Sequence, residues 1–256
     1  MENIITAFTK PWPQSSVDEL ADKLSSFGFT GVELCVRKGY QVYSEENLSA
    51  SLCNAVNVFS GKGIKVVGIG GNIDEKTISA CADAHISYIR TLMSIPRECP
   101  EIDAVLKESK RKIAVAKEYA EKYKVTIGIQ LHIDTYAWNS IQLHELVDYF
   151  DSPYIKGIWD SAQCTMAGEQ IGFGLSFILP DCISVQIKNL RFKNPGVEIV
   201  SGKDGIVSWG EIIKTLNSHN YKGVITLTHE YSDSSKVEEL YREDALYIKQ
   251  LQEGCK

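Results

Sequence analysis

Several short apolar stretches of this chain carry polar side chains of catalytic type on one face, near their C-terminal ends. The clearest is Lys124 to Asn139, KVTIGIQLHIDTYAWN, where Val125, Ile127, Ile129 and Leu131 alternate with Thr126, Gly128, Gln130 and His132. Successive side chains of a strand point to opposite faces. One face is therefore apolar throughout, and the other is small first and polar last, ending in Gln130 and His132. The same alternation isolates Glu33 between Val32 and Leu34, and Arg90 within ISYIRTLM. It places Asp160 on the face of Ile158, and Gln186 and Lys188 between Val185, Ile187 and Asn189. In the last apolar stretch it selects Thr226, Thr228 and Glu230. Imidazole, carboxylate and ammonium groups at one place can move protons and stabilise charge. Polar groups from six strands are costly to bury unpaired, so a polar pocket for a hydroxyl-rich or charged small molecule is expected.

Each of these residues also has a plain structural use. Glu33 either meets substrate or salt-bridges Arg90 or Lys188. Asp160 either serves the site or caps the turn after its strand. Lys188 either touches substrate or neutralises Asp160. His132 is a general acid–base candidate or a structural hydrogen-bond donor. The amides of Gln130 and Gln186 suit sugar hydroxyls but can also stitch strands together. Trp12 and Trp138 fall in loops after the first and fifth strands, where they either stack on a sugar face or pack as lid residues. Lys203 either meets a phosphate or is a solvent lysine.

The elements needed to bring these residues together follow from the order of the chain. Strands are predicted at 3–8, 28–36, 64–71, 86–93, 124–132, 154–160, 183–189 and 222–231. Helices are predicted between them. The first starts at a capping box from Ser16 to Glu19. The second is capped by Ser44, and a third spans Asn72 to Ala84. After Pro96 and Pro100, a long charged helix over 101–123 turns Ile102, Val105, Leu106, Ile113, Ala116 and Ala120 inward. Further helices are predicted at 141–150, about 168–179, 209–218 and 236–251. The Gly-rich segment 190–207 reads as a loop. Eight strands alternating with eight helices imply parallel pairing through right-handed crossovers. The 256 residues match the roughly 250 of a (β/α)8 barrel. The expected architecture is thus a single-domain α/β TIM barrel over 1–256, with the polar residues at its C-terminal rim. An open doubly wound sheet is the alternative, but GIGGNI (68–73) lacks the third glycine of the dinucleotide fingerprint and follows the third strand.

Composition narrows the partners. A net charge of −6 argues against nucleic acid or an anionic membrane. No apolar run is long enough to span a bilayer, and MENIITAFTKPWP has no signal-peptide pattern. The seven cysteines, at 35, 53, 81, 99, 164, 182 and 255, form no CxxC pair and suit a reducing cytoplasm. A homo-oligomer is compatible with all of this. His229-Glu230 is not a zinc HExxH, because Asp233 takes the second histidine position.

Taken in order, GFTGVEL (28–34), IGIQLH (127–132), IKGIWDSAQ (155–163), VQIKN (185–189) and DGIVSWGEIIKTLNSHNYKGVITLTHE (204–230) resemble the sugar phosphate isomerase/epimerase family, the xylose isomerase-like TIM barrels. The resemblance implies an isomerase or epimerase of a small sugar, sugar phosphate or polyol. It also implies one divalent metal (Mn, Mg or Zn), held by Glu, Asp, His and Glu on strands five to eight. Those positions fall on Gln130, Asp160, Gln186 and Thr228, of which only Asp160 keeps the usual type. Amide oxygens are weaker ligands than carboxylates for hard cations. The family metal site is therefore expected to be mostly lost, with Asp160, and Glu230 one layer higher, as the remaining ligands. Lys188 would then replace the metal as electrophile, with Asp160, His132 and Glu230 as base and acid. A non-catalytic sugar- or partner-binding descendant and a related lyase or dehydratase are the alternatives.

Overall fold

The computed structural model describes residues 3–96, 98, 101–228 and 230–254. His229, Pro100, Cys99 and Cys255, all used in the sequence reading, lie outside the described residues.

Strands and helices alternate as β1 (Ile5–Phe8), α1 (Val17–Ser26), β2 (Gly31–Cys35), α2 (Leu48–Gly61), β3 (Lys65–Gly70), α3 (Glu75–Asp83), β4 (Tyr88–Thr91) and α4 (Ile102–Tyr123). They continue as β5 (Thr126–Gln130), α5 (Ser140–Phe150), β6 (Ile155–Asp160), α6 (Ser161–Met166), α7 (Ile171–Ile178) and β7 (Cys182–Ile187). The chain ends with β8 (Asn189–Phe192), β9 (Val197–Val200), α8 (Trp209–Ser218), β10 (Val224–Leu227) and α9 (Val237–Gly254). Strands β1 to β7 and β10 close into one parallel barrel, with β10 between β7 and β1. The molecule is a single-domain TIM barrel with helices between the strands, as the alternation implied. Among the described residues, no helix is long and apolar enough to cross a membrane.

The outward faces of the strands supply the main core: Val32, Leu34, Ile127, Ile129, Val185 and Ile187 are buried against the helices. The barrel interior holds a second cluster, Val67, Tyr88 and Ile158. Two glycines make room for it. A Cβ on Gly68 would lie 2.4 Å from the Tyr88 ring, and one on Gly128 would lie 2.5 Å from Ile158 Cδ1. That is why the inner face of β5 starts small.

Four expectations are corrected. Helix α2 is capped by Asn47, whose side chain accepts from Ala50 N. Ser44 instead accepts from Asn47 N, one turn too early to start the helix. Ile102 is exposed, because the first turns of α4 run past the barrel wall; Ile113, Ala116 and Ala120 are the residues that dock. The helix read over about 168–179 is present as α7, but it starts only after Gly168, and a separate helix that the sequence reading did not contain, α6, precedes it directly at the end of β6. Finally, 190–207 is not a plain loop. It contains the antiparallel hairpin β8–β9, in which Arg191 opposes Glu198 and pairs with it at 2.8 Å.

Candidate active site

The polar residues at the C-terminal ends of the strands form one continuous network, and its direction can be worked out from chemistry. Glu33 on β2 is fully buried. It accepts from Tyr88 Oη at 2.7 Å and from Arg90 Nε at 2.6 Å, both on β4. Burial works against the charge of Arg90, but the Glu33 carboxylate beside it outweighs that cost and holds the guanidinium above its ordinary pKa. Burial, reinforced by the same carboxylate, pushes the Tyr88 phenol well up, so it stays a neutral donor. The Arg90 guanidinium also lies 4.2 Å from the centre of the Phe8 ring, a cation–π contact.

Arg90 Nη1 then donates to Gln130 Oε1 at 2.8 Å. A guanidinium can only donate, so this contact fixes which end of the Gln130 amide faces it. The amide NH2 must point the other way, and it donates to Asp160 Oδ2 at 2.9 Å and to Gln186 Oε1 at 2.7 Å. That contact in turn fixes Gln186, whose own NH2 is left with no partner. Asp160 is fully engaged. Its Oδ1 accepts from Ala162 N and Gln163 N at 3.1 Å each, capping α6, and its Oδ2 also meets Lys188 Nζ at 3.0 Å.

Above this layer lies a small mouth of about 110 Å³, lined by Phe8, Lys10, Arg37, Arg90, Leu92, Gln130, His132, Gln186, Lys188, Thr228 and Glu230. His132 Nδ1 sits 2.6 Å from Ile133 O. A carbonyl only accepts, so in the neutral ring Nδ1 carries the proton and Nε2 keeps the lone pair. Glu230 pairs with Lys10 at 2.6 Å across the mouth. Three buried polar atoms of lining residues have no hydrogen-bond partner: Arg90 Nη2, Gln186 Nε2 and Thr228 Oγ1.

Of the residues singled out in the sequence, Glu33, Arg90, Gln130, His132, Asp160, Gln186, Lys188, Thr228 and Glu230 thus meet at or directly beneath one rim. Four others do not. Trp12 is buried against Tyr241, ring centres 4.7 Å apart, because its loop folds over α9 and away from the mouth. Trp138 is half exposed and lines a separate outer groove with Ile102 and Leu106. Lys203 lies 5.2 Å from the Tyr247 ring centre on α9. Thr226 sits one layer down, 3.1 Å from Ser184 Oγ inside the barrel. The sequence reading missed Tyr88, Lys10 and Arg37. Tyr88 was findable, since it lies two residues before Arg90 on the same face. Lys10 and Arg37 lie in loops, where alternation gives no signal.

A divalent ion of the family type does not fit this donor set. The Gln130 oxygen is turned to Arg90, and an NH2 cannot ligate. Gln186 directs its oxygen at Gln130, and its remaining NH2 cannot ligate. The Lys188 ammonium stands against Asp160 where a second cation would be repelled. Among the described residues, no group of three or more His, Cys, Asp or Glu side chains could hold a metal ion.

A family model described as xylose isomerase-like TIM barrel matches residues 21–251. No curated protein sequence matches the chain. Among solved structures, the probable 3-DHS dehydratase AsbF of Bacillus anthracis is similar with a TM-score of 0.77 at 15% identity, covering 96% of this chain and 98% of that one. The 3-keto-D-glucoside 4-epimerase YcjR of E. coli has a TM-score of 0.74 at 12% identity, covering 97% and 100%. D-psicose 3-epimerase from Clostridium cellulolyticum H10 has a TM-score of 0.74 at 12% identity, covering 98% of each chain. At such low identity these likenesses speak to the fold alone.

Proposed function

The chain belongs to the xylose isomerase-like TIM barrel family, and from that premise we propose that it is a metal-independent isomerase or epimerase of a small sugar, sugar phosphate or polyol. The observation that carries the reading is the fixed direction of the network: starting from Arg90, each amide is oriented in turn, which leaves Gln186 Nε2 as a donor without a protein partner in a residue that lines the mouth, as Lys188 does. Such donors suit an oxygen on which negative charge develops.

In this reading His132 Nε2 removes the proton from the carbon next to the substrate carbonyl. The C–H electron pair becomes the enediol double bond, and the carbonyl π pair moves onto oxygen, where Lys188 and Gln186 hold it. Return of the proton to the former carbonyl carbon, with the neighbouring hydroxyl passing its proton to the first oxygen as its own C=O forms, isomerises the substrate; protonation of the original carbon from the opposite face, as the carbonyl reforms, epimerises it. Glu230 is the second group able to carry that proton. Asp160, with both oxygens engaged, positions Lys188 and does not act as the base.

The test is solvent exchange: the protein in D2O with short ketoses, their phosphates and polyols, followed by proton NMR. Loss of one C–H signal is expected, and His132→Gln should slow it by roughly 10²–10⁴-fold. Absence of exchange with every compound would overturn the reading. The full engagement of Asp160 and the pairing of Glu230 with Lys10 favour a second one, a non-catalytic sugar binder. A ligand that raises the melting temperature but is never converted would establish it. Proton abstraction followed by loss of a β-hydroxyl would instead make the protein a dehydratase, the chemistry attributed to the Bacillus anthracis neighbour.

A further inference from the structure

The charges around the mouth do not cancel. Lys10 is matched by Glu230, Arg90 by Glu33 and Lys188 by Asp160. Arg37 also lines the mouth, and it makes no ion pair among the described residues. One cation is therefore left over at the entrance of a protein whose net charge is −6. The polar atoms left without partners have the same character. Arg90 Nη2 and Gln186 Nε2 can only donate, and Thr228 Oγ1 can donate. All three belong to side chains that are at least nine-tenths buried. A buried donor without an acceptor costs stability, and no acceptor of the described protein reaches any of these three.

We infer that the mouth is built to take an oxyanion, a carboxylate or phosphate group carried by the substrate, against Arg90, Gln186 and Thr228, with Arg37 at the entrance. The inference rests on the rim being the substrate site and narrows the substrate class from sugars in general to anionic ones. The hydroxyl oxygens of a neutral sugar can accept from the same donors, but they bring no charge to set against Arg37; an oxyanion does both. The volume of about 110 Å³ corresponds to roughly four water molecules. It therefore encloses a short-chain acid or only the anionic end of a longer molecule.

The experiment is calorimetric titration of the whole protein with glycerate, inorganic phosphate and glycerol at matched ionic strength. Glycerate or phosphate should bind and glycerol should not. Glycerate alone identifies a carboxylate head, phosphate alone a phosphate head, and both the shared oxyanion site. Thr228→Val should weaken the anion roughly tenfold while leaving the melting temperature unchanged or higher, because the hydroxyl it removes has no partner in the protein. Gln186→Glu, which keeps the oxygen facing Gln130 and replaces the unpartnered NH2 by oxygen, should abolish anion binding. Should that variant not fold, Thr228→Val still decides. Glycerol binding as well as glycerate, no binding by any of the three, or anion binding unaffected by Thr228→Val would each overturn the inference. Anion binding without solvent exchange would leave it standing and remove the enzymatic reading. Exchange on neutral sugars without anion binding would do the reverse.

Discussion

Glu33 shows how a buried charge organises this rim. Its two oxygens fix Arg90 and Tyr88, and Arg90 then fixes the amides of Gln130 and Gln186. Removing one partner of a buried pair leaves the other charged and unmatched, which costs about 3–5 kcal/mol. Glu33→Gln is therefore expected to lower the unfolding free energy by about 3 kcal/mol in urea denaturation, while the double change to Glu33→Gln with Arg90→Met recovers much of it. A loss under 0.5 kcal/mol in the single variant, on the order of an ordinary surface change, would show that the pair does not organise the rim. At this scale the sequence was informative. Period-two alternation alone placed nine side chains at one rim, because a strand inside a closed barrel has only one inward face. It could not tell which of them pair with each other, since that depends on the barrel stagger. It left open whether Trp12 and Trp138 stack on a ligand or pack; Trp12 packs against Tyr241, and Trp138 lines a separate outer groove.

At the scale of elements, the hairpin β8–β9 and helix α9 show what was hidden. Four-residue strands joined through Asn194-Pro195-Gly196 look like a loop in sequence, because the turn residues outweigh so short an apolar pattern. The hairpin base is held from inside: Asn189 donates to Gly202 O and Val207 O, and accepts from Val207 N. Helix α9 is tied to the segment following β9 by Asp244, which accepts from Gly202 N at 2.8 Å and from Tyr231 Oη at 2.6 Å. Burial pushes the Asp244 carboxyl up to about 6, although both hydrogen bonds pull it down. An unfolded aspartate titrates near about 4. The folded protein therefore binds this proton more tightly than the unfolded chain. Stability from this group is highest below about pH 4, falls as pH rises through about 6 and is level above that. Two pH units correspond to about 3 kcal/mol. Unfolding free energies measured from pH 4 to 7 should contain a decline of that order that Asp244→Asn removes. A wild-type and Asp244→Asn difference that stays constant over this range would contradict the assignment.

At the scale of the molecule, the fold was the most legible feature. Strand–helix alternation of this length has few compact solutions, and the closed barrel is the one observed. Membership of the family was carried by motif order along the chain, not by any single motif. The chemistry was less legible, because the same barrel hosts many reactions and, of the four positions where the resemblance implies metal ligands, only Asp160 carries the implied residue type. What the three-dimensional arrangement adds is direction. A sequence can say that Gln130 is an amide, but only its contact with Arg90 says that its NH2, and not its oxygen, faces Asp160. In the function proposed above, an ammonium and oriented amides at the rim take over the electrophilic work that the family resemblance implies for a metal. Titration of chelator-treated protein with Mn2+, reading bound metal and solvent exchange together, tests that claim most directly. No stoichiometric metal binding and an exchange rate unchanged by Mn2+ are expected. One tightly bound ion per chain, lost in Asp160→Asn, with exchange appearing only when it binds, would contradict that claim.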